Sequence, residues 1–273
     1  MDPLARIAAA LERMAGIAPP PPADWLGAPA YLWTGTGPRA VPSIEAPMLD
    51  QLCGLDVQKA AVAENARRLA QGHAAHDILL WGARGMGKSA LVRASVRAAQ
   101  APDPAALALV QVATDALAAL PDLFASLHEV TGRRFLVFID DLGFAEGDDV
   151  GPRHLRSWLE GGVEARPAHV RLAVTANHRA ILARQAAEQD DPLNPRDAID
   201  DRLALADRFG LSLGFHAASQ QDYLAMVAAY AGPAGLAFTA ADALEWAKRR
   251  GARSGRVAYH YVTELAGRAG RAL

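Results

Sequence analysis

The 273-residue chain sets 28 Lys and Arg against 30 Asp and Glu, a formal net charge of −2 with a pI near 6.4. That balance lacks the global basic footprint of a dedicated nucleic-acid binder and leaves room only for a local patch. Cys53 is the single cysteine, which excludes an intrachain disulfide and fits a reducing compartment, and no apolar run approaches membrane-spanning length, so a soluble cytoplasmic protein is expected.

At this length one α/β domain and a smaller companion can each bury a core. Met1 to Gly16 has an apolar pattern broken by Arg6, Glu12 and Arg13, which reads as an amphipathic helix rather than a signal peptide. Pro19 to Pro22 follows as a proline linker. From Asp24 to Met48, Trp and Tyr alternate with Gly and Pro, so an irregular arm is expected to pack on the main domain through Trp25, Tyr31 and Trp33. Helix, linker and arm together make up 1–48, and the amphipathic helix on its proline linker could dock a partner or simply pack on its own core. A helix is expected after Cys53, with Ala60, Ala61, Ala63, Ala66 and Leu69 at helical spacing and a stop near Gly72.

Ile78 to Ser89 reads I-L-L-W-G-A-R-G-M-G-K-S: an apolar strand, a glycine-rich turn, then a helix from Ala90 to Gln100. The spacing G-x-x-x-x-G-K-S is that of a P-loop. Gly82, Gly85 and Gly87 let the backbone curl so that N–H groups of Ala83, Arg84, Met86 and their neighbours point inward at phosphate oxygens. Lys88 supplies positive charge at the β and γ phosphates, the Ser89 hydroxyl can hold magnesium, and the helix opening through Ala90 offers its positive dipole end. The pattern implies ATP and Mg2+.

Leu107 to Ala113 is expected as a buried strand, and Leu117 to Val130 as a helix restarted at Pro121. Arg134 to Asp141 (R-F-L-V-F-I-D-D) is a central strand that delivers two carboxylates to the sheet edge where the P-loop must also lie. Pro152 to Gly161 reads as a helix, Val170 to Ala176 as a strand ending in Asn177, Ile181 to Glu188 as a helix, and Leu211 to Phe215 as a short edge strand. Only helices follow, over Gln220 to Ala231, Ala240 to Arg249 and Val257 to Ala269, with Ser219, Thr239 and Gly255 at their starts. The expected class is α/β, a three-layer P-loop core over 49–216 with a parallel sheet, followed by a small helical lid over 217–273.

The order of these motifs resembles the AAA+ ATPases. More narrowly, Trp81 to Ser89, Phe138 to Asp149, Leu159 to Pro167 and Asp207 to Leu211 resemble the bacterial family catalogued as domain of unknown function 815. The resemblance implies an ATPase core and leaves the biological process unnamed. It implies that Asp140 holds magnesium with Ser89, and that Asp141 polarises the attacking water where most AAA+ members carry Glu. Asp141 as a turn cap, and Glu146 as an alternative base, stay open. Asn177 takes the sensor-1 role or simply ends its strand. Arg208 resembles the arginine finger that completes a neighbouring subunit's site, with Arg202 as its rival and a local salt bridge as the plain alternative. Arg256, or Arg253, resembles the sensor-2 arginine of the lid, and Leu55 and Val57 are the implied apolar walls around adenine. Lys248, Arg249 and Arg250 read as a solvated face or as a nucleic-acid patch.

Three functions follow as expectations. The first is an ATPase, homo-oligomeric with shared sites, in which Lys88, Asp141, Asn177 and Arg208 act on Mg-ATP and lid motion reports nucleotide state to a protein client. The second is a nucleotide-operated switch or scaffold with negligible turnover. The third is a helicase-loader-like factor that binds single-stranded DNA.

Overall fold

The computed structural model describes residues 24–143, 159, 166–177 and 208–273. Within them seven strands form one sheet: β1 (Ala30–Trp33), β2 (Pro38–Val41), β3 (Ile78–Gly82), β4 (Leu107–Val112), β5 (Arg134–Ile139), β6 (Val170–Ala176) and β7 (Leu211–Phe215). Their order is β2-β1-β4-β5-β6-β3-β7. The β1–β2 pair is antiparallel and every other pairing is parallel. Central strands that carry helices on both faces need apolar residues throughout, and β5 shows it, since only Arg134 of R-F-L-V-F-I is not buried.

Alternate residues of each strand feed two cores, as the two-residue period of a strand requires. Ile78, Leu80, Leu136 and Phe138 face α1 (Asp56–Ala70) and α2 (Lys88–Gln100). Leu79, Phe135, Val137 and Ile139 face the opposite way, toward α3 (Leu120–His128), which follows a 3-10 turn over Thr114–Ala119. Each fully buried Leu or Phe among them contributes about 1.5–3 kcal/mol through removal from water.

The segment expected as an irregular arm is corrected by β1 and β2. Ala30 to Trp33 pair with Leu109 to Val112 in parallel, so this segment extends the main sheet. Four-residue strands flanked by Gly and Pro leave too short an alternation to register as strands. The three aromatics do pack inward. Trp25 stacks on Trp33 at 6.3 Å between ring centres and meets Tyr31 and Phe135 edge-on. Its Nε1 donates to Ser126 Oγ at 2.8 Å, and Arg133 fastens the same segment by donating to the carbonyls of Trp25 and Leu26.

After β7 come α4 (Gln220–Ala231), α5 (Ala240–Arg249) and α6 (Gly255–Arg268), packed on one another. Ser219 and Thr239 cap the first two through their hydroxyls, which accept from the backbone N–H of Asp222 and Asp242. The third cap is Ser254 rather than Gly255, because a hydroxyl can accept the Val257 N–H and glycine cannot. Among the described residues no helix is long and apolar enough to cross a membrane. The expected helices over 1–16 and 181–188, together with Glu146 and Arg202, lie outside the described residues. Of the helix expected over 152–161 only Leu159 is described; it is helical and half-buried.

Candidate functional site

The site begins where β3 runs into its turn. Gly82 has φ +131°, and a Cβ there would lie 2.0 Å from the Phe215 carbonyl oxygen of β7, so only glycine lets the two strands close. The Ala83 N–H then donates to that carbonyl at 3.1 Å. Gly87, also at positive φ, leads into α2, whose start has no side-chain cap. Uncapped first-turn N–H groups and the dipole behind them make that helix start receptive to an anion.

Lys88 folds back over this turn and donates to the carbonyls of Gly82 (2.7 Å) and Ala83 (2.9 Å). Burial pushes its pKa down, while the carboxylates of Asp141 and Asp140 oppose the shift. Opposite stand the two aspartates that follow β5. Asp140 Oδ1 accepts from Ser89 Oγ at 2.5 Å and from Thr175 Oγ1 at 2.7 Å. Thr175, buried near the end of β6, also accepts the Asp141 N–H through the same hydroxyl and the Leu142 N–H through its carbonyl, each at 2.7 Å. One side chain of β6 therefore fixes the turn that presents both carboxylates.

Asp141 has φ +53°, the one positive value at a residue other than glycine among the described residues. Such a conformation persists only where neighbours hold it. Here Asn177 Nδ2 donates to Oδ1 at 2.5 Å, and Arg84 Nη2 lies 3.7 Å from Oδ2.

A cleft of about 1230 Å³ opens beside these groups. Arg84 to Ala90, Asp140, Asp141, Thr175 and Asn177 contribute to its lining. So do Leu55, Cys53, Met226, Tyr230, Tyr259 and Arg256. The α6 start closes on the loop: the Arg256 N–H donates to the Gly85 carbonyl at 3.3 Å, and a Cβ on Gly85 would come within 3.0 Å of Ser254 Oγ.

Leu55 thus reaches the cleft, but Val57 does not. It is 74% exposed, because five helical residues place it about 140° around α1 from the buried Val62. Arg253 also lies outside the cleft lining. Arg208, half-buried just ahead of β7, has an interaction within the chain and stands outside the lining as well. Thr175, Met226, Tyr230 and Tyr259 were missed in the sequence. Thr175 had a visible signal, a hydroxyl residue two positions before Asn177 at the same strand end; the others look like ordinary helix-face residues.

The oxygen donors gathered here fit magnesium. Among the described residues no group of three or more His, Cys, Asp or Glu could cage a metal, which leaves the facing Ser89 Oγ and Asp140 Oδ1. Such a sparse all-oxygen pair matches magnesium, which takes its other ligands from water and phosphate.

Residues 27–269 match the family model described as "Protein of unknown function (DUF815)". The chain belongs to the DUF815 family. No curated protein matches it. Among solved structures, this DUF815 chain is similar to RuvB of Thermotoga maritima, a Holliday junction branch migration motor. The TM-score is 0.52 at 16% identity, covering 82% of this chain and 66% of RuvB. It is also similar to ORC1 of Aeropyrum pernix in complex with DNA, with a TM-score of 0.58 at 15% identity, covering 81% of this chain and 62% of ORC1. The DUF815 chain thus spans less than two thirds of each neighbour's length. The likeness shows the fold: this DUF815 protein has the AAA+ P-loop architecture, with its glycine turn, paired aspartates and Asn177 gathered at the carboxyl edge of the sheet.

Proposed function

We propose that this DUF815 protein binds Mg-ATP in the cleft, hydrolyses it, and passes nucleotide state to a protein client through movement of α4, α5 and α6 as a lid. The observation that carries the reading is the meeting of Ser89 Oγ, Asp140 Oδ1 and Thr175 Oγ1 beside an uncapped helix start. Chance turns do not set a hydroxyl on a carboxylate held from the next strand.

In this reading Lys88 leaves the carbonyls of Gly82 and Ala83 for the phosphates and neutralises charge during transfer. Ser89 and Asp140 hold magnesium, which when bound screens the phosphate oxygens. Asp141 accepts the proton of the attacking water and Asn177 orients that water against it. Leu55, Met226 and Tyr230 shelter the base, and Arg256 links the phosphate loop to the lid. Arg208, outside this cleft, serves the site of an adjacent copy in a homo-oligomer.

A second reading has one observation in its favour. Both carboxylate oxygens of Asp141 face side-chain donors, Asn177 and Arg84, and aspartate is one methylene shorter than the glutamate of most AAA+ proteins. A chain that keeps Asp141 so engaged with nucleotide bound would act as a switch. Magnesium-dependent ATP hydrolysis per subunit over a range of protein concentrations separates the two. Turnover that rises with concentration and falls in Arg208→Ala supports shared sites; tight ATP binding with no turnover at any concentration supports the switch.

A further inference from the structure

Within the glycine turn, Arg84 is engaged, among the described residues, only by its long contact with Asp141, and the ATPase reading gives its side chain no part in nucleotide binding. It lines the cleft, its side chain is 75% exposed, and its Nη2 lies 3.7 Å from Asp141 Oδ2. Packing does not hold it there. An ion pair that long, exposed at both ends, is weak and easily exchanged. A guanidinium binds a phosphate oxygen pair in bidentate fashion far better than it binds one distant carboxylate oxygen.

The geometry also says which phosphate. Lys88, bonded to Gly82 and Ala83, marks the inner part of the turn, whereas Asp141 and Asn177 mark the end of the cleft where a phosphoryl group would meet water. Arg84 leans to that outer end. Building on the ATPase reading above, we propose that Arg84 recognises the terminal phosphate of ATP, exchanging its contact with Asp141 for that group, and so sets the preference for ATP over ADP. With ADP the outer position holds no phosphate and Arg84 stays on Asp141. The same exchange uncovers Oδ2 of Asp141 only when a triphosphate is present, which makes Arg84 a positioning residue for Asp141 as well as a specificity residue.

The test is equilibrium binding of ADP and of a non-hydrolysable ATP analogue to the full chain with magnesium, by titration calorimetry. Arg84→Ala should weaken the analogue by about tenfold and ADP by less than about twofold, the difference of one charge-assisted contact. Arg84→Lys should recover part of that loss. Asp141→Asn should tighten the analogue by a larger factor when Arg84 is present than in the Arg84→Ala background, where the carboxylate no longer competes for the Arg84 cation and acts on Lys88 as before. Equal losses for both nucleotides, no loss for either, or Asp141→Asn acting alike in both backgrounds would overturn the proposal while leaving the ATPase reading intact. A wild-type chain that binds neither nucleotide would overturn both.

Discussion

Asn177 donates from Nδ2 to Oδ1 of Asp141 at 2.5 Å, joining the ends of two adjacent parallel strands through their side chains. The contact holds a residue whose φ of +53° is otherwise costly. Asp141→Asn should therefore lower kcat by about a hundredfold or more while ATP binding persists, as expected for loss of a general base. Asn177→Ala should lower kcat by a smaller factor, about tenfold, because the carboxylate survives but loses its orientation. Single-turnover hydrolysis alongside a nucleotide-binding titration checks both, and an Asp141→Asn enzyme of undiminished rate would remove Asp141 from the chemistry.

Thr175 serves as donor to Asp140 and acceptor from the Asp141 N–H. Valine has the same shape and neither function. Thr175→Val should cost about 1–3 kcal/mol in stability, the penalty of leaving a partly buried backbone donor without its partner. It should also raise the magnesium concentration needed for half-maximal activity, and Thr175→Ser should restore both. Chemical denaturation and a magnesium titration are the measurements.

Gly82→Ala tests the close approach of β3 to its parallel neighbour β7. Its Cβ would meet the Phe215 carbonyl oxygen at 2.0 Å, a backbone atom that cannot rotate aside. A loss of several kcal/mol, about 3 or more, is expected from overpacking added to a backbone conformation closed to alanine. Gly143→Ala, where a Cβ meets nothing within 4 Å, is the matched control and should change stability little.

Cys53 lines the cleft, and burial raises the pKa of its thiol. A raised pKa means less thiolate at a given pH. Alkylation of the native protein near neutral pH should be slower than that of the unfolded chain and should accelerate as pH rises through the raised value. Saturating ATP should slow it further by covering the thiol. Mass-spectrometric labelling rates with and without nucleotide decide the matter, and equal rates would place the nucleotide elsewhere.

Long apolar runs and punctuated turns were legible because each states its own period. β6 and β7, and helices α4 and α5, fall where their patterns place them. The shape of the glycine turn was legible for the same reason, since glycine spacing encodes backbone shape locally. Strands β1 and β2 were not, because a four-residue strand gets its identity from its neighbour rather than from its own alternation: β1 from β4, about eighty residues later, and β2 from β1. Val57 shows a related failure: proximity to Leu55 in sequence suggested a shared wall, and the helix begun at Asp56 turned the side chain away. The backbone strain at Asp141 belongs to neither class, arising only when β5 and β6 lie side by side and Thr175 fixes the turn between them.

In the proposed lid motion, the contact of Gly85 with the first turn of α6 would act as a fulcrum. The fourteen residues of α6 make a rod of about 21 Å, so a tilt of about 10° imposed at Gly85 would sweep its far end by about 4 Å. A displacement too small to notice at the glycine turn would become, at the other end of that rod, a step the size of a side chain. A second protein resting there would sense it as the making or breaking of a contact.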